Sequence, residues 1–121
     1  MPDQPRFIGL DLGGTNVQGG IVTAEGEVLA RDKTKTKAEE GAAEVLKRID
    51  KLVGKLLDKA DLKRQHITAL GIGAPGPIDP DRGVVINAVN LRWRDYPLAE
   101  KLSDMLEMPI YVDNDVNVGA W

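Results

Sequence analysis

A chain of 121 residues with 42% hydrophobic and 29% charged side chains has enough apolar material for one packed core, and too much to stay disordered. The formal net charge of −3 gives no reason to expect a nucleic-acid partner, and the absence of cysteine excludes disulfides and thiolate metal sites from this chain. No apolar run approaches the roughly 18 residues that a membrane-spanning helix requires. The opening Met1-Pro2-Asp3-Gln4-Pro5 is polar and lacks a signal-peptide pattern, so a cytoplasmic location is the expectation.

The first apolar stretch predicts a strand over about Arg6 to Leu12, and a second follows from about Val17 to Thr23. The short glycine turn between them should fold the two into a hairpin. Ala24-Glu25-Gly26-Glu27 reads as another tight turn and opens a third strand from Val28 to Thr36, completing an antiparallel meander. The basic cluster from Arg31 to Lys37 alternates with threonine, which marks an exposed strand face and not a groove for a nucleic-acid backbone.

The period then changes. Val45, Leu46, Ile49, Leu52, Val53, Leu56 and Leu57 recur at helical spacing, predicting an amphipathic helix over about Ala38 to Lys59. Gly54 inside it has no local explanation. Ile67 to Ala74 reads as a buried strand, preceded by the only histidine, His66, as an exposed residue with no ligand or base role. After the turn Asp79-Pro80-Asp81-Arg82-Gly83 comes an extended Val84-Val85-Ile86, then a polar segment from Asn87 to Asp95. Asp95 is the expected cap of a second helix carrying Leu98, Leu102, Met105 and Leu106, with Pro97 in its first turn and Pro109 stopping it. Ile110-Tyr111-Val112 is the last strand. A meander followed by alternating helices and strands is an α/β pattern with a mixed sheet and helices packed on it.

Two stretches carry chemistry. In Asp11-Leu12-Gly13-Gly14-Thr15 the glycines leave backbone N–H groups uncrowded, a natural seat for phosphate oxygens, with the Thr15 hydroxyl as a further donor. Asp11, at a strand end, is placed to hold a hydrated cation beside them. An ordinary tight turn with a surface aspartate reads the same residues equally well. At the other end, the last strand runs into Asp113-Asn114-Asp115-Val116-Asn117, where polar residues beyond a buried strand line a cleft. Asp115 can accept a proton from a hydroxyl attacking phosphorus, and Asn114 suits a sugar hydroxyl. Alternatively Asp113 is structural and Asn117 caps a following helix.

These two stretches, together with Gly73-Ala74-Pro75-Gly76-Pro77 and Asn90-Leu91 near Trp93, stand in an order and spacing that resembles the first lobe of the ROK family, the repressors and sugar kinases that include bacterial glucokinases. The resemblance covers nearly the whole chain. It implies an actin-like, hexokinase-type (ribonuclease H-like) α/β lobe spanning 1–121, with ATP and a hexose held between this lobe and a second one that the chain lacks. It implies that Asp115 is the catalytic base and that Asn114, Asn90, Gly76 and Asp115 contact the sugar. Gly13, Gly14, Thr15 and Asn16 would hold the ATP phosphates, with Asp11 near Mg2+. The implied activity is ATP-dependent phosphorylation of a hexose, glucose first, in a parent protein that forms homo-oligomers, with no membrane or nucleic-acid partner. Structural zinc would belong only to the second lobe, and an isolated lobe would turn over little or no substrate.

Two further readings differ in class: a sugar-sensing repressor of the same family, disfavoured because only five residues precede the first strand, and a non-catalytic truncated lobe. Asn16 stands where many relatives carry Lys, and Arg92 replaces a residue that is commonly small.

Overall fold

The computed structural model describes residues 5–114. Strands β1 (Arg6–Leu12), β2 (Asn16–Thr23) and β3 (Val28–Lys35) form the expected meander. Helix α1 (Ala42–Ala60) returns the chain to β4 (Ala69–Ala74), and α2 (Leu98–Leu106) leads to β8 (Ile110–Asn114). The five strands lie in the order β3-β2-β1-β4-β8, with β1, β4 and β8 mutually parallel. Between β4 and α2 the chain builds a second, antiparallel sheet from β5 (Ile78–Asp79), β6 (Val84–Ala88) and β7 (Trp93–Tyr96).

Alternation decides the faces of the main sheet. Ile8, Leu10 and Leu12 of β1 point to one side with Leu70 and Ile72 of β4 and Val17 and Ile21 of β2, all buried. Helix α1 covers that side with Val45, Ile49, Leu52, Val53, Leu56 and Leu57, each buried side chain contributing about 1.5–3 kcal/mol. Helix α2 touches both α1 and β8, so the two helices share this face. Asp11, Asn16, Gln18, Lys33 and Lys35 belong to the opposite face. Because β3 is an edge, its charges also guard against strand-to-strand association. Asp32 turns back toward α1, 3.5 Å from Lys55 and 3.3 Å from Lys59.

Several local expectations shift. The long helix is interrupted: Ala38–Glu40 is a single 3-10 turn, and Gly41 at φ 99° breaks it from α1. Asp95 does not cap α2; it lies in β7 at φ 48°, and Pro97 occupies the cap position without a side-chain bond. Helix α2 ends on Glu107 in the left-handed region, two residues before Pro109. His66 closes a 3-10 turn (Arg64–His66), its Nδ1 accepting the Lys63 amide at 2.9 Å. Gly54 has open space where a side chain would stand.

Candidate functional site

The parallel register gathers the polar residues at one end of the sheet. Asp11 of β1 is paired with Gly73 of β4, and Gly73 with Asp113 of β8, while Asn114 follows beside Ala74. Asp11 and Asp113 thus flank a glycine across two strand spacings, about 10 Å. Carboxylates and amides at the carboxyl ends of parallel strands border the crevice in which α/β sheets hold ligands.

The glycine turn meets this end. Gly13 N–H donates to Asn16 O at 2.9 Å, so that amide is engaged inside the turn and unavailable to a ligand. Among the described residues the amides of Gly14 and Thr15 have no backbone partner. The phosphate seat expected of the turn therefore narrows to these two N–H groups and the Thr15 hydroxyl, with Thr15 exposed. Neither glycine has a positive φ; what both positions require is space. A Cβ on Gly13 would stand 3.0 Å from Asn16 O, and one on Gly14 would stand 3.0 Å from Asn90 Cβ. Asn16 is exposed and sits directly across from exposed Lys35 of β3, a cation beside the turn although position 16 itself is neutral.

The contact between Gly14 and Asn90 joins two regions that lie far apart in the chain. Asn90 is held in a 3-10 turn (Val89–Leu91) after β6, anchored by buried Leu91, with its own side chain exposed. Gly76, at φ 85°, lies so close to the Asn87 carbonyl that any Cβ would overlap it. Only glycine fits both that φ and that approach. Gly76 is therefore fixed against the β6 end that leads into Asn90, and both face solvent. In β7, Trp93 and Tyr96 stack at 4.3 Å between ring centroids, and burial raises the Tyr96 pKa.

Of the residues singled out in the sequence, Asp11, Gly13, Gly14, Thr15, Asn16, Gly76, Asn90 and Asn114 lie among the described residues. Asp115 lies outside them, as does Asn117. Sequence reasoning missed two contributors. Asn87 had been part of an undivided polar segment, and Thr36 had been only the end of an exposed strand. Thr36 is in fact fully buried; its hydroxyl donates to Gly13 O at 2.8 Å and its N–H to Thr15 O at 2.9 Å. Counting register back along the meander was the available signal, since Lys35 opposite Asn16 puts Thr36 beside the turn.

A mixed sheet in this order, with helices on one face and a glycine turn at the carboxyl ends of its parallel strands, defines an actin-like α/β lobe of the kind found in ROK kinases. The chain belongs to the ROK family, whose model matches residues 7–121. It is 34% identical to a glucokinase of Halalkalibacterium halodurans over 94% of this chain and 34% of that protein. It is 32% identical to a xylose repressor of Caldicellulosiruptor bescii over 98% of this chain and 30% of that protein. The crystal structure of a ROK family glucokinase from Streptomyces griseus in complex with glucose and AMPPNP superimposes with a TM-score of 0.84 at 34% identity, over 96% of this chain and 35% of that one. The chain thus spans about a third of the length of these relatives.

Proposed function

We propose that this chain is the N-terminal lobe of an ATP-dependent hexose kinase of glucokinase type, the donor phosphates seated on Gly14 and Thr15 and the sugar held by Asn90, Asn114 and Gly76. The observation that carries this reading is the Gly14–Asn90 contact, because it brings together the two residues assigned here to the donor phosphates and to a sugar hydroxyl. The similarity to a glucokinase crystallised with glucose and AMPPNP supports the same pairing. Phosphoryl transfer asks little covalent work of a protein; alignment and charge neutralisation supply most of the acceleration. Asp115 is assigned the general base, taking the proton of the attacking hydroxyl. Asp11 offers one carboxylate, which fits Mg2+, an ion that takes one or two carboxylates and completes its shell with phosphate oxygens and water; bound there it would neutralise phosphate charge. The hexose is glucose first, and the protein works in the cytoplasm as a homo-oligomer.

The test is Asp115→Asn in the protein that carries this lobe together with its second lobe. Loss of a general base is expected to lower kcat by about 10²–10⁴-fold with hexose affinity retained. Full activity in that variant would refute the assignment. The xylose repressor's likeness across 98% of the chain favours a second reading, a sugar-sensing regulator. Retention on DNA at physiological salt, with no ATP turnover against a hexose panel, would favour it.

A further inference from the structure

We propose that Thr36 is a positioning residue that sets the phosphate turn, fixing which way its backbone amides point. This rests on the donor-binding role given above to Gly14 and Thr15. The argument comes from the planarity of the peptide unit. In a trans peptide the C=O and the following N–H point in opposite directions. The Thr36 hydroxyl holds the Gly13 carbonyl at 2.8 Å, so the Gly14 N–H of that same peptide is aimed the other way. The Thr36 N–H holds the Thr15 carbonyl at 2.9 Å and does the same to the Asn16 N–H.

Without these bonds the Gly13–Gly14 peptide is the one most free to rotate, since neither flanking residue has a Cβ to restrict it. A rotated peptide would present a carbonyl oxygen to a polyanion where an N–H had been. The Asn16 carbonyl is likewise occupied, by the Gly13 N–H at 2.9 Å. Three carbonyls of the turn are thereby tied into the fold while the Gly14 and Thr15 amides have no backbone partner among the described residues. Thr36 is itself fully buried, so its hydroxyl is shielded from water, and among the described residues its hydroxyl bonds to Gly13 O. It touches no donor atom and acts through the turn.

The experiment compares Thr36→Val, nearly isosteric but without the hydroxyl, with Thr36→Ser, which keeps it. In amide-resolved NMR of the chain, Thr36→Val is expected to move the Gly13–Asn16 resonances while those of α1 stay in place, and Thr36→Ser to return them. In the two-lobed protein, Thr36→Val is expected to raise the KM for ATP about tenfold, the effect of about one buried hydrogen bond, with the hexose KM within about twofold. Thr36→Ser should restore the ATP value. Thr36→Ala carries the same expectations where Thr36→Val does not fold. Unmoved Gly13–Asn16 resonances, or an unchanged KM for ATP in a folded variant, would overturn the proposal. If the resonances move as expected but the unsubstituted protein uses ATP with no hexose, the kinase reading fails and the positioning of the turn by Thr36 stands.

Discussion

Gly14→Ala tests whether the glycine turn and Asn90, proposed above as donor seat and sugar ligand, are mechanically joined. A Cβ on Gly14 would stand 3.0 Å from Asn90 Cβ, 3.7 Å from Cγ and 3.8 Å from Nδ2. Carbon atoms rest at about 3.5–4.0 Å, so one partner must give way by roughly 0.5 Å. The turn is held through Thr36, Thr15 and Asn16, whereas the exposed Asn90 side chain sits on a single 3-10 turn anchored by Leu91, so the Asn90 side chain moves. A misplacement of about 1 Å can cost 10²-fold in an aligned site, so about half that distance predicts a roughly tenfold rise in hexose KM. Steady-state kinetics of the two-lobed protein, varying hexose and ATP in turn, would measure it. Asn90→Ala should raise hexose KM as well, and the double variant should lose less than the sum of the two, because both act on the same amide. A hexose KM that does not change in Gly14→Ala, or effects that simply add, would refute the coupling.

Gly54→Ala is expected to stabilise the protein by about 1 kcal/mol, since helix interiors disfavour glycine by that amount and nothing lies within 4 Å of the added Cβ. Thermal unfolding followed by circular dichroism should show a rise of roughly 4 °C, and a fall would mean that the α1 face at Gly54 is covered in the folded protein. Asp32 has its pKa lowered, first by the Lys33 amide that donates to it at 2.8 Å, with Lys59 and Lys55 adding to this. A depressed acid stabilises the fold above its unfolded pKa of about 3.9, and that contribution disappears as pH falls through the lower folded value. Asp32→Asn should therefore flatten the acid limb of the stability profile below about pH 4 and leave its slope at neutral pH unchanged, as urea titrations across pH would record.

Much of the frame was legible because its signals are local. The hairpin turns, the period change at α1 and the apolar run of β4 each lie within a dozen or so residues, where strand alternation and helical spacing speak directly. The interruption at Gly41 and the failed cap at Asp95 were missed for a different reason: both depend on backbone angles, φ 99° and 48°, that many sequences permit and only the packed chain selects. Of the small sheet of β5, β6 and β7 only the extended Val84-Val85-Ile86 was legible, because its strands are short and mix apolar with polar residues without a clean alternation.

By itself, then, the order of residues determined an α/β lobe with a glycine turn near one end and an acid-rich strand end near the other, since propensity and hydrophobic period act along the chain. Tertiary structure alone decided that Gly14 meets Asn90, that Gly76 is pressed to Asn87, and that Thr36 is buried behind the turn. The first and last of those contacts join positions tens of residues apart, and strand register and close packing fix all three, neither of which a linear pattern encodes.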